Sequence, residues 1–133
     1  MTRKKGDITE TQFATQVEDL LERFGWRWLH IKPSIMQSGQ WASSMNTKGK
    51  GWPDYTCVRE GRLIFAELKD RLSHTTPEQD DWLGDLRECV KHITLEPVAV
   101  GKMTLLPHGK LIPSIEVYLW RPADFEKIME ILR

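Results

Sequence analysis

The stretch that decides the fold is residues 51–70, with the sequence GWPDYTCVREGRLIFAELKD. Two runs of strand-forming residues, 55–59 and 62–68, are separated by a Glu-Gly pair, which is a turn signal. Both faces of the second run are apolar, which is typical of an interior strand covered on both sides. The sequence therefore predicts an antiparallel hairpin at the centre of a sheet.

The register of this hairpin decides which side chains meet. If the Glu-Gly pair alone forms the turn, Asp54 faces Glu67 across the hairpin. Lys69 follows Glu67 by two residues and so projects from the same face of the strand. A three-residue loop with Gly61 in the left-handed conformation stays open as an alternative, and it would shift the pairing by about one residue. In both cases one Asp, one Glu and one Lys lie close together.

Two carboxylates next to apolar strands require an explanation, because like charges at directly opposed positions repel. Either one of them keeps a proton or a cation lies between them. Mg²⁺ and similar hard cations prefer carboxylate and carbonyl oxygens as ligands. The hairpin is therefore a candidate metal site.

The chain has 133 residues, 19 of them basic and 19 acidic, so its formal net charge is zero. This length predicts one domain, residues 1–133, with a substantial hydrophobic core. A neutral composition does not indicate a nucleic-acid-binding protein, so any basic surface must be local. The sequence predicts no membrane span and no secretory signal. Cys57 and Cys89 are expected to be free thiols of a reducing compartment, with a disulfide or catalytic role as the alternative.

Hydrophobic periodicity and capping signals predict the other elements. The expected order is a helix at 9–24, a strand at 26–31, a loop at 33–50, the central hairpin, a helix at 76–90, a strand at 115–120 and a helix at 122–132. Residues 91–114 are predicted to contain an extra β-hairpin insertion. This order predicts an α/β fold with a mixed central β-sheet flanked by α-helices.

Two polar residues in the predicted helices have two interpretations each. Glu10 falls near the middle of the apolar stripe of its helix, which suggests a carboxylate of the site. The alternative is that it lies in the first turn and interacts favourably with the positive end of the helix dipole. Gln79 lies three residues after Thr76, which predicts that it completes a capping box; the other interpretation is a catalytic residue that holds Lys69 or the substrate.

The remaining candidates are nucleic-acid contacts. His30 lies near the end of its strand, where a hydrogen-bonded structural role is the alternative. Lys48 and Lys50 lie just before the central hairpin, where the alternative is that they are only solvated. The basic tail within residues 1–7 is expected to be mobile and is a further candidate for phosphate contact.

Two motifs of the hairpin, Gly51-x-Pro53-Asp54 and, after a gap of twelve residues, Glu67-Leu68-Lys69, resemble those of the PD-(D/E)XK nuclease superfamily. The similarity to its small stand-alone VRR-NUC branch, common in phages and bacteria, covers most of the chain in the expected order. The other matching segments are Thr9-Glu10, Gly25-Trp26, residues 64–69, residues 76–83 and residues 120–124. One departure from the branch is the insertion 91–114, because in its members the last strand follows the helix almost directly.

The resemblance implies a restriction-endonuclease-like core and a metal-dependent endonuclease that hydrolyses DNA at structures such as junctions, flaps or nicks. It implies Mg²⁺ or Mn²⁺ held by Asp54, Glu67, the Leu68 carbonyl and Glu10. Lys69 would orient the attacking water and stabilise developing charge. The implied partners are DNA and a second copy of the chain, with no organic cofactor, in the cytoplasm of a bacterial or phage-infected cell.

Two alternatives stay open. The chain could be a catalytically inactive nucleic-acid-binding or protein-interaction module that keeps the nuclease fold. It could also be a nuclease that acts only in a complex with a protein partner. The presence of Asp54, Glu67 and Lys69 together favours an active enzyme.

Overall fold

The structure is a computed structural model that describes residues 4–31, 34–35, 41–42, 46–91 and 114–133. At residues 34–35, 41–42 and 114 it describes the backbone alone. The predicted hairpin within 91–114 lies outside the described residues, apart from the two end residues of that segment.

The described elements follow the predicted order closely. They are α1 (Glu10–Arg23), β1 (Arg27–His30), β2 (Ser34–Ile35), β3 (Trp41–Ala42), β4 (Tyr55–Arg59), β5 (Arg62–Leu68), α2 (Pro77–Lys91), β6 (Ser114–Trp120) and α3 (Phe125–Leu132). Short 3₁₀ turns lie at Thr47–Gly49 and Pro122–Asp124. The predictions for α1, α2 and the four long strands are confirmed.

Two predictions of local structure are wrong in part. The loop predicted at 33–50 contains the antiparallel pair β2–β3 and a 3₁₀ turn. Two-residue strands carry too few residues for an alternating pattern to be detected. The last helix begins at Phe125, because the residues before it form a 3₁₀ turn in which the Asp124 carboxylate accepts a hydrogen bond from the Arg121 N–H at 2.9 Å.

The four long strands form a mixed, open sheet in the order β1-β4-β5-β6. β1–β4 and β4–β5 are antiparallel, whereas β5–β6 is parallel. β5 therefore has a neighbour on each side, and the residues from Ile64 to Leu68 are buried, which confirms the predicted interior strand. The chain is thus an α/β protein with a mixed sheet and, in its described part, three helices.

The turn of the central hairpin settles its register. Tyr55 pairs with Ala66 and Arg59 pairs with Arg62, which leaves a two-residue turn. Both turn residues have positive φ, 49° at Glu60 and 79° at Gly61. Two consecutive positive φ values are the requirement of a type I′ turn, whose twist matches that of the strands. The two-residue prediction is confirmed and the three-residue alternative is wrong, even though glutamate seldom adopts this conformation.

The two faces of β5 pack against different partners. Ile64, Ala66 and Leu68 belong to one buried cluster with residues of α1 and α3. On the other face, the Phe65 ring lies 5.3 Å from Trp52, and the Trp52 ring lies 4.8 Å from Trp82 of α2. Because successive side chains alternate between faces, both faces of β5 are covered. The buried residues of α1 are Phe13, Ala14, Val17, Leu20 and Leu21.

Arg59 and Arg62 face each other at the turn end of the hairpin, where like charges repel. Their guanidinium groups find other partners. Arg59 donates to the Leu132 carbonyl at the end of α3, at 2.8 Å, and Arg62 forms an ion pair with Glu116 at 2.7 Å. Both also lie over the Trp26 ring, at 4.7 and 5.0 Å from its centroid. A positive charge interacts favourably with the C-terminal end of a helix dipole. The contact between Arg59 and Leu132 therefore fixes α3 to the hairpin.

Both cysteines are free, which confirms the prediction of free thiols, while the reducing compartment stays a prediction. Cys57 is buried in β4 and Cys89 is exposed on α2. Burial raises the pKa of the Cys57 thiol to about 12, so this thiol stays protonated near neutral pH. Among the described residues, no helix has the length and apolar character needed to cross a membrane.

Candidate active site

Asp54 and Glu67 lie together at the open end of the central hairpin. The Asp54 N–H donates to Glu67 Oε2 at 3.2 Å, and the Leu68 N–H donates to Asp54 Oδ2 at 2.9 Å. Each carboxyl group therefore accepts a hydrogen bond from the backbone of the opposite segment. These bonds fix both side chains in position, and the predicted proximity of the two carboxyl groups is confirmed.

Lys69 and Gln79 complete the contacts of Glu67. Lys69 Nζ lies 3.5 Å from Glu67 Oε1, and Gln79 Nε2 donates to the same oxygen at 2.6 Å. Gln79 also forms the predicted capping box with Thr76, whose N–H donates to Gln79 Oε1 at 2.9 Å. The capping interpretation of Gln79 is therefore confirmed, and the amide nitrogen is free to contact Glu67 because the cap uses the amide oxygen. A catalytic role for Gln79 stays a prediction.

Burial makes ionisation of this pair unfavourable. Glu67 is only 1% exposed, and burial together with the nearby charge of Asp54 raises its pKa to about 8. Burial also raises the pKa of Asp54, although the hydrogen bond from Leu68 acts in the opposite direction. Glu67 therefore holds a proton at neutral pH when no cation is near. A cation between the two carboxyl groups would favour ionisation of both.

Glu10 lies within electrostatic range of the pair without completing a ligand set. It is half-buried at the start of α1, and burial raises its pKa, with Lys69 opposing this shift and Asp54 and Asp70 adding to it. Across the described ranges, no three His, Cys, Asp or Glu side chains lie together as a group that could hold a metal ion. The dipole role fits the position of Glu10 in the first turn, and its role as a ligand stays a prediction.

A close backbone contact positions Gln79, and the sequence did not reveal it. Gly51 has φ of +89°, and a Cβ atom built on it would lie 2.5 Å from the Glu78 carbonyl carbon and 2.7 Å from the Gln79 nitrogen. Only glycine permits this approach. The segment before the hairpin is therefore packed on the first turn of α2, which carries the amide that contacts Glu67.

His30 lies within hydrogen-bond distance of another side chain, as its structural interpretation predicted, and its role as a nucleic-acid contact stays a prediction. Its Nδ1 lies 3.0 Å from Glu18 Oε1, and its ring stacks on Tyr55 with centroids 4.1 Å apart. The Tyr55 hydroxyl donates to the same Glu18 oxygen at 2.6 Å. The sequence did not predict this cluster. Two features of the sequence point to the cluster. Glu18 lies at the edge of the apolar stripe of α1, and His30 and Tyr55, which pair across two strands, share a face of the sheet.

Lys48 and Lys50 are exposed, but acidic residues surround them. Lys50 Nζ lies 3.4 Å from Glu78 Oε1. Both lysines line a groove together with Glu78, Asp81 and Asp85 of α2. Their role as phosphate contacts stays a prediction, and their positive charge is offset locally.

Comparison of the chain with protein-family models, with curated proteins and with solved structures gave no match. The functional argument therefore depends on the sequence motifs and on the arrangement of the site itself. That arrangement brings together four residues at the open end of the hairpin, where Glu67 and Lys69 are buried and Asp54 and Gln79 are half-buried.

Proposed function

We propose that the chain is a divalent-metal-dependent endonuclease that hydrolyses DNA phosphodiester bonds at structures such as junctions, flaps or nicks. The observation that carries this proposal is the Asp54–Glu67 pair, which is held in place by backbone N–H groups and has Lys69 Nζ 3.5 Å from Glu67. The restriction-endonuclease-like core and a homodimeric state belong to the same proposal, through the resemblance to the VRR-NUC branch.

The donor set fits Mg²⁺ or Mn²⁺. Asp54, Glu67 and the Leu68 carbonyl offer hard oxygen ligands, and Glu10 would act directly or through water. The raised pKa of Glu67 supports this fit, since a cation would offset the unfavourable ionisation that burial produces. When bound, the ion lowers the pKa of a coordinated water and stabilises negative charge on phosphate oxygens.

The protein side chains have distinct tasks in this proposal. Lys69 orients the attacking water and stabilises charge that develops on the phosphate. Gln79 donates to Glu67 Oε1 and holds that carboxyl group in place beside Asp54. The Gln79 amide can do this because its oxygen is fixed by the cap of α2. These positions exist before any ligand binds, so little reorganisation is needed during the reaction.

A cleavage assay tests the proposal. Purified protein is incubated with labelled duplex, nicked, flapped and junction DNA over a Mg²⁺ titration. Asp54→Ala should abolish cleavage, and Lys69→Ala should reduce the rate by about 10²–10³-fold. Asp19→Ala, at an exposed position of α1, is the matched control and should cleave normally. Cleavage that persists in Asp54→Ala, with an unchanged far-UV CD spectrum, would reject the site.

One observation favours the rival proposal of an inactive nucleic-acid-binding module. In the part of the chain that the structure describes, the acidic pair lacks a third ligand side chain. An inactive module would bind the DNA panel without cutting it in either Mg²⁺ or Mn²⁺. Cleavage that begins only when a protein partner is added would instead indicate a nuclease that requires a complex.

A further inference from the structure

Two surfaces of opposite charge flank the candidate active site. One is the N-terminal turn, residues 4–7, and the other is the exposed face of α2. The chain as a whole has no net charge, so an approaching polyanion would respond to this local difference.

Hydrogen bonds join the N-terminal turn to Arg71, which follows the site residue Lys69, and the mobility of this tail stays a prediction. The Asp7 N–H donates to the Lys4 carbonyl at 3.1 Å, and the Lys4 N–H donates to Asp7 Oδ2 at 2.7 Å. The same carboxylate accepts from Arg71 Nη2 at 2.9 Å and Nε at 3.2 Å. Because Arg71 follows Lys69 by two residues, the turn lies at the rim of the site, and its side chains Lys4 and Lys5 are exposed.

The face of α2 has the opposite character. The first turn of the helix contains Gln79, which contacts Glu67, and the helix exposes Asp81 and Asp85. Glu88 is also exposed and forms an ion pair with Lys91 at 3.3 Å. The first two of these acids also border the groove that contains Lys48 and Lys50. Acidic side chains repel phosphates, so this side of the site is unfavourable for a DNA backbone.

We propose that the DNA backbone next to the cleaved phosphate runs along the N-terminal turn, with Lys4 and Lys5 contacting its phosphates, and not along α2. The nature of the ligand rests on the proposed function. The direction of approach rests on the charges that flank the site. Of the site acids, Glu67 is buried and Asp54 is half-buried, and each accepts a hydrogen bond from the backbone, whereas the two lysines are exposed.

Equilibrium binding tests this without requiring cleavage. Fluorescence anisotropy with labelled duplex and flapped DNA is measured in EDTA over a series of salt concentrations. Each phosphate contact contributes about 0.9 to the slope of log affinity against log salt, so Lys4→Gln with Lys5→Gln should reduce the slope by about 1.8. At about 0.1 M salt, the same relation gives an affinity loss of roughly 10- to 60-fold.

Lys48→Gln with Lys50→Gln removes the same charge on the α2 side, and it tests the competing assignment of these two lysines as phosphate contacts. It should change the affinity by less than about twofold, since the acids of the groove already offset these charges. Asp81→Asn with Asp85→Asn should tighten binding. All of these positions are exposed, so the variants are expected to fold normally.

The outcomes separate this inference from the proposed function. Three results would overturn it. The two lysine double variants could lose the same DNA affinity, Lys4→Gln with Lys5→Gln could lose none, or the unmodified protein could fail to bind DNA. If the unmodified protein binds with the predicted pattern but does not cut DNA in Mg²⁺, the docking surface stands and the catalytic proposal fails.

Discussion

The Glu67→Gln substitution should remove a large pH dependence from the stability of the metal-free protein. Glu67 has a pKa of about 8 in the folded state against 4.5 for an ordinary glutamate. A carboxyl group with a raised folded-state pKa stabilises the fold fully below the lower value, and this stabilisation is lost as pH rises toward the higher one. Between about pH 5.5 and 7.5, these two values give a loss of roughly 2–3 kcal/mol.

Glutamine has the shape of glutamate but no proton to lose. Glu67→Gln replaces one of the two carboxyl oxygens that accept hydrogen bonds from the Asp54 N–H and Gln79 Nε2. The resulting loss of stability does not change with pH in the same range. Over this pH range, the free energy of unfolding of the variant should therefore fall by roughly 2–3 kcal/mol less than that of the unmodified protein.

Urea unfolding followed by far-UV CD, in EDTA at pH 5.5 and 7.5, measures this difference. Glu126→Gln makes the same chemical change at an exposed position of α3 and should keep the pH dependence of the unmodified protein. Equal pH dependence in Glu67→Gln and the unmodified protein would refute the reasoning, because Glu67 would then hold no extra proton in the folded state.

Two further substitutions test contacts around the site, each with a control. Gly51→Ala places a Cβ 2.5 Å from the Glu78 backbone at φ of +89°, and should lower the free energy of unfolding by roughly 1–3 kcal/mol and slow cleavage. Gly84→Ala has nothing within 4 Å of its Cβ, and should instead raise the stability of α2 by about 0.5–1 kcal/mol in urea unfolding. Arg59→Ala removes the hydrogen bonds to the end of α3, and should lower stability by about 2–3 kcal/mol, whereas exposed Lys127→Ala should change it by less than about 0.5 kcal/mol. Loss of stability in Gly84→Ala equal to that in Gly51→Ala, or an unchanged Arg59→Ala variant, would contradict these assignments.

Local signals in the sequence were sufficient for most of the fold. The Glu60-Gly61 pair predicted the two-residue turn, with a three-residue loop as the alternative, and both registers predicted that Asp54 and Glu67 lie close together. Capping boxes located the start of α1 and of α2, because their hydrogen bonds join residues three apart. The short strands β2 and β3 were missed, since two residues cannot display a period.

Contacts between distant segments could not be predicted from the sequence in the same way. The approach of Gly51 to α2 depends on where that helix packs. From the sequence, a glycine at this position indicates only a turn. The bond from Gln79 to Glu67 has the same origin. His30 and Glu18 lie on different elements, and their contact depends on how α1 crosses the sheet. The insertion within 91–114 remains a prediction, because it lies outside the described residues.

Calorimetric titration of Mg²⁺ or Mn²⁺ at pH 7, in buffers of different ionisation enthalpy, tests the central claim most directly. Because Glu67 holds a proton at this pH, binding of an ion between Asp54 and Glu67 should release about one proton per ion. Glu67→Gln should lose both the binding and the proton release. If no ion binds, or if Glu67→Gln binds it with the same affinity and the same proton count, the hairpin is not a metal site.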